Sequence, residues 1–132
     1  MAVQLNHTIV HARDAEASAR WLAEVLGLDP PERFGPFWQV RTSNGVDLDF
    51  DTEPGGADAD IRQAHYAFLI SEAEFDTIFA RIVDGGIDHW ADPAASRPGE
   101  INHNDGGRGV YFQDPDGHFM EIITRPYGSG SP

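Results

Sequence analysis

Three residues of this sequence have the types and the placement to work together: His7, His65 and Glu121. The stretch HTIVHARDAEASARWLAEVLG from His7 lies over HYAFLISEAEFDTIFARIVDG from His65 at a constant offset of 65 − 7 = 58. Further on, GVDLDF from Gly45 lies over GHFMEI from Gly117, which pairs Asp49 with Glu121. Side chains alternate across a strand. Tyr66, Phe68 and Ile70 therefore share one face and His65 takes the other, and Met120 and Ile122 stand likewise to Glu121. If the repeated units pair about a pseudo-twofold, His7, His65 and Glu121 line one concave wall. Two imidazoles and a carboxylate on one wall form the facial triad of mononuclear metal sites. It suits Fe(II), and also Mn, Ni, Co or Zn, with positions left open for substrate and for oxygen or water. Alone, each residue would more often be a satisfied core histidine or a surface carboxylate. At repeat-related positions the joint occurrence favours a site.

The elements that must position these residues follow from local pattern. Gln4 to His11 reads as a strand. Asp14 is a helix N-cap before good helix formers, with Trp21, Leu22, Val25 and Leu26 as an apolar stripe and Gly27 as the stop. Phe34 to Thr42 and Val46 to Asp51 read as strands joined at Ser43-Asn44-Gly45, and Glu53 to Asp60 as a polar linker. The second half repeats the order. His65 to Ile70 is a strand, Glu72 to Val83 a helix with Phe75, Ile78, Phe79 and Ile82 on one face, and Gly85-Gly86 its stop. Ile87 to Trp90 is a short strand, and Asp92 to Gly107 a long polar loop. Arg108 to Gln113 and His118 to Arg125 are strands around the Asp114-Pro115-Asp116-Gly117 turn. Each half is thus a βαβββ-type unit, and an internal repeat outranks local propensity in deciding architecture. We place the first unit at 1–54, a linker at 55–62, the second unit at 63–127 and a flexible tail at 128–132, all in one domain.

With 132 residues the chain fits a domain that buries a sizeable core. It has no Cys, which excludes disulfides, thiolate metal sites and cysteine nucleophiles. Nine Lys and Arg against 22 Asp and Glu leave a formal net charge of −13, so nucleic acid and anionic membranes are disfavoured as partners. No apolar run approaches the roughly 20 residues that span a bilayer, and Met1 to His7 shows no signal-peptide pattern. The expectation is a cytoplasmic protein. There is no GxSxG and no P-loop, and the glycines of Asp105 to Gly109 precede a strand, which a dinucleotide fingerprint does not.

LNHTIVHARD with the WLAEVLGL helix, the QAHYAFL strand and the FQDPDGHFMEI ending resemble the vicinal oxygen chelate superfamily, which includes glyoxalase I, bleomycin resistance proteins and extradiol dioxygenases. The resemblance runs from about Gln4 to Tyr127. It implies an α+β fold in which two tandem βαβββ-type units form an open, cupped mixed sheet with helices on the outer face. It puts the metal ligands on His7, His65 and Glu121. The run Ile101-Asn102-His103, Val110-Tyr111, Asp114-Pro115-Asp116-Gly117 and Glu121 further resembles the extradiol dioxygenase pattern. In those enzymes its His and Tyr contact the substrate, which carries over to His103 and Tyr111 as catalytic candidates. The further active-site His of larger extradiol enzymes has no counterpart, since only His11 lies between His7 and His65.

Glyoxalase-type relatives place a fourth ligand where Asp49 stands. Asp is one methylene shorter than the usual Glu, so a non-ligand is the favoured reading, and Asp47 and Asp51 share its face, which also permits a solvated acidic edge. A fourth ligand would favour lyase or isomerase chemistry with Zn or Ni, and a free position oxygen chemistry. In the loop from Arg97 to Arg108 either Arg could meet an anionic substrate group, and Trp38, with Phe34 and Phe37, could wall a pocket. The expectation is one divalent metal ion per site, Fe(II) or Mn favoured over Ni, Zn or Co, acting on a small substrate that chelates it through two adjacent oxygens. Extradiol-dioxygenase-like chemistry leads, glyoxalase-like lyase or isomerase chemistry is the alternative, and a drug-sequestering binding protein is the alternative of another class. Relatives of this size commonly pair, so a homodimer is expected.

Overall fold

The computed structural model describes residues 2–130. Met1, and residues 131 and 132 of the expected tail, lie outside the described residues. The chain divides after Arg62 into two compact units.

The first unit runs β1 (His7–Ala12), α1 (Ala15–Leu26), β2 (Glu32–Phe34), β3 (Phe37–Arg41) and β4 (Asp47–Thr52). Its four-stranded sheet has the order β1-β4-β3-β2, with β1 parallel to β4 and the remaining pairs antiparallel. The Asp14 side chain accepts from Ala17 N, and Gly27 ends α1 at φ 72°, a left-handed conformation that glycine adopts without a Cβ clash. Val10, Ala12, Val40, Leu48 and Phe50 are buried with Ala19, Leu22 and Ala23 of α1, which packs on β1, β3 and β4. Each large apolar side chain so buried contributes about 1.5–3 kcal/mol.

One expected strand is divided. The β-rich pattern makes Phe34 to Thr42 continuous, but the chain reverses at Gly35-Pro36, and Glu32–Phe34 pairs back on Phe37–Arg41. Gly35 takes φ 58°, and Pro36 has no N–H to offer a ladder. The expected linker is also folded, with Glu53 N donating to Ala12 O, a 3-10 turn at Gly56–Asp58 and Arg13 Nε donating to Ala59 O.

The second unit repeats the plan with β5 (His65–Leu69), α2 (Glu72–Asp84), β6 (His89–Trp90), β7 (Gly109–Gln113) and β8 (Phe119–Ile123), in the sheet order β5-β8-β7-β6. Ser71 caps α2 in a full capping box with Glu74. Phe75, Ile78, Ile82, Val110, Phe112, Met120 and Ile122 are buried. The two tandem βαβββ units are thus both present in an α+β fold, each with its own four-stranded mixed sheet. Among the described residues, no helix is long and apolar enough to cross a membrane.

Candidate metal centre

Strand register decides which side chains meet. β8 lies between β5 and β7, so Glu121 stands opposite Ala67 on one side and Tyr111 on the other. His65 is two residues before Ala67 on the same face, diagonal to Glu121. Its ring stacks on Tyr111 with centroids 5.9 Å apart.

Glu121 is fully buried. A buried carboxylate is costly unless both oxygens find partners. Oε2 has one, the Tyr127 hydroxyl, which donates at 2.5 Å. The single phenolic proton of Tyr127 is thereby committed, so in the 2.8 Å contact between the two phenols it is Tyr111 that donates to Tyr127. Burial, then the hydrogen bond to Glu121, pushes the Tyr127 phenol far above its ordinary range. Burial also raises Tyr111. Both phenols therefore remain protonated donors.

Oε1 of Glu121 accepts no hydrogen bond. His65 Nε2 lies 3.2 Å from it. His65 Nδ1 sits 3.2 Å from the carbonyl oxygen of Phe119, its own register partner. A carbonyl only accepts, so Nδ1 carries a proton, and Nε2 is the ring nitrogen turned to Glu121. A ring nitrogen with ligand geometry thus faces a buried carboxylate oxygen that has no hydrogen-bond partner. A cation held between them would satisfy the carboxylate oxygen and take the neutral imidazole as a ligand. A ligating histidine that donates its other N–H to a carbonyl is the usual outer-shell support of a metal site. The residues present therefore fit a divalent metal.

The first unit has the same register with different chemistry. His7 is diagonal to Asp49 across Ile9, and Gln39 stands where Tyr111 does. The Asp49 carboxylate accepts from Gln39 Nε2 at 2.9 Å, while His7 Nδ1 contacts Asn6 Oδ1 at 2.8 Å. Asp47 and Asp49 are buried, and Asp47 is held by Arg41 through two hydrogen bonds. The solvated acidic edge that the sequence permits is not found at these two residues, because each carboxylate is covered and partnered. Farther along this face, His11 lies against Glu53, with Asp51 in the same cluster. His11 is half exposed there.

The other expected site residues scatter. Arg108 is turned to α2, where it donates to Glu72 Oε1, Asp76 Oδ1 and the Glu72 carbonyl and covers the Phe75 ring. Trp38 pairs with Phe50, on the face opposite Gln39 and Asp49, with Arg20 and Arg33 over its ring. The His103 and Arg97 side chains are exposed on the loop, which is anchored by the Asp92 carboxylate and by buried Asn102. Sequence reasoning missed Tyr127. Its only sequence signal is the turn signature of Pro126 and Gly128 around it.

The model of the Glyoxalase/Bleomycin resistance protein/Dioxygenase superfamily matches residues 4–122. The chain belongs to this superfamily. Within it, the metallothiol transferase FosB of Shouchella clausii is 28% identical over 122 residues, covering 91% of this chain and 79% of FosB. Two solved structures are much more similar. Oxidase ChaP-H1 is 61% identical with a TM-score of 0.90, covering 96% of this chain and 99% of its own. Oxidase ChaP-H2 is 59% identical with a TM-score of 0.93, covering 99% and 100%.

Proposed function

We propose that this chain is a metal-dependent enzyme that oxidises a small substrate presenting two neighbouring oxygens, with chemistry of the extradiol dioxygenase type. The observation that carries the reading is the buried, unpartnered Glu121 Oε1 facing His65 Nε2 at 3.2 Å. The oxidase names of the two relatives near 60% identity support the oxygen-dependent branch. His65 and Glu121 would hold the metal, Fe(II) or Mn by preference. His7 is proposed as the third ligand because it repeats the register place of His65. When bound, such a metal is a Lewis acid that draws together two adjacent oxygens and stabilises their negative charge.

The rest falls to the chain's own groups. Phe119 O fixes the His65 tautomer, Tyr127 holds the second Glu121 oxygen, and Tyr111 keeps a phenolic proton beside the pair. His103 is proposed as a substrate contact on the resemblance of its pattern. Asp49 is proposed as a non-ligand, since its carboxylate is occupied by Gln39. That favours oxygen chemistry over the four-ligand lyase or isomerase reading.

The test loads the full chain anaerobically with Fe(II) or Mn(II) and measures bound metal and oxygen uptake with a panel of catechols and related vicinal diols. The expected result is about one metal per chain, with uptake, both lost in His65→Ala and Glu121→Ala. Bound metal without uptake across the panel would move the chain to the lyase or isomerase reading. No bound metal would defeat the metal reading itself.

A further inference from the structure

We propose that Tyr127 is a positioning residue for Glu121, held in place by a latch between the C-terminal segment and Asp105. The proposal rests on the metal reading of the site. With Oε2 engaged by Tyr127, Oε1 is the one carboxylate oxygen left to ligate, and it points at His65 Nε2. A donor chain from Tyr111 through Tyr127 to Glu121 polarises along its length and fixes the carboxylate's rotation.

No strand holds Tyr127. It lies four residues beyond the end of β8 and past the stretch matched by the superfamily model. The residue is 59% exposed although its hydroxyl reaches a fully buried carboxylate. What holds it is the turn around it. Gly128 N and Gly130 N both donate to Asp105 Oδ1, at 3.1 and 3.2 Å. Arg125 Nη2 donates to Ser129 O, and the Ser129 hydroxyl to Pro126 O. Gly130 sits so close to Asp105 that a Cβ there would lie 2.3 Å from its Cα, so any larger residue must displace the segment. Asp105 itself adopts φ 58°, a left-handed conformation few non-glycine residues tolerate. The segment expected as a flexible tail is thus fastened as far as Gly130, and its fastening bears on a buried ligand oxygen.

The test titrates the metal-free full chain with Mn(II) by calorimetry and records the Co(II) absorption spectrum. Tyr127→Phe keeps the ring and removes the donor, and should weaken Mn(II) binding about ten- to a hundredfold and alter the Co(II) band intensities. Gly130→Ala and Asp105→Ala should weaken binding without touching any ligand. Asp105→Asn should restore it, because the amide oxygen still accepts and Asn tolerates positive φ. Wild-type affinity in Tyr127→Phe and Gly130→Ala, with binding lost in Glu121→Ala, would overturn the latch and leave the metal site standing. The latch is equally overturned if these variants lower the unfolding temperature of the metal-free protein and leave Mn(II) affinity and the Co(II) spectrum unchanged. Equal Mn(II) binding in wild type and Glu121→Ala would overturn both.

Discussion

Glu121 and Asp49 occupy equivalent places in the two units, yet only one carboxylate is left with a bare oxygen. The difference lies in their cross-strand neighbours. Gln39 brings an amide donor that satisfies Asp49 directly, while Tyr111 directs its hydrogen bond to Tyr127 and leaves Oε1 of Glu121 facing His65 Nε2. Nearby, Asp47 shows what a partnered carboxylate does for stability. The hydrogen bond from Arg41 holds its pKa below the ordinary 3.8. A depressed carboxylate contributes stability above its unfolded value and loses it as pH falls through the folded one. Arg41→Ala should therefore destabilise the protein at pH 7 and much less below pH 3.8, where Asp47 is protonated in the variant and increasingly so in the wild type. Urea midpoints at pH 7 and pH 3 check this, and equal losses at both would refute it.

At the scale of elements, the site depends on β8 being the strand flanked by β5 and β7, which puts Glu121 between two neighbours and out of water. The turn before β8 is self-contained, since Asp114 Oδ1 accepts from both Asp116 N and His118 N. The Asp-Pro-Asp-Gly signature was therefore readable as a turn. So were the Asp14 cap and the Gly27 stop of α1. The capping box of α2 is equally local, with Ser71 just before the helix and Glu74 in its first turn. Ser71→Ala removes the side-chain acceptor for Glu74 N and should cost about 1 kcal/mol, seen as a lower urea midpoint with an unchanged slope. An unchanged midpoint would show that the cap contributes nothing to global stability.

For the whole molecule, a ligand that binds only the folded state stabilises it by mass action. At a free Mn(II) concentration about a hundred times its dissociation constant, the gain should be about 2.7 kcal/mol, visible as a rise in Tm that EDTA reverses and Glu121→Ala abolishes. A wild-type Tm indifferent to Mn(II), Fe(II) and EDTA would contradict the proposed centre. The net charge of −13 adds an independent effect. Self-repulsion strains the compact state at low ionic strength and is screened by salt, so metal and chelator comparisons belong at one fixed salt concentration.

What the sequence by itself determined was everything that neighbours along the chain control. The 58-residue repeat, the helix periodicity and caps, and the strand alternation that sets His65 and Glu121 on one face were all legible in it. The reversal at Gly35-Pro36 carried a local signal too, hidden inside an otherwise continuous β-rich run. Only the tertiary structure decided how side chains on separate segments share their protons. Arg108 looked available in a polar loop until α2 supplied Glu72 and Asp76. Tyr127 stood at the edge of the expected tail with no visible link to Glu121, because the six residues from Glu121 would span about 20 Å if extended. The folded turn at Asp105 brings its hydroxyl back to the carboxylate. Periodicity specifies which face a residue takes, but a hydrogen bond between distant segments exists only once the chain has folded to place both ends.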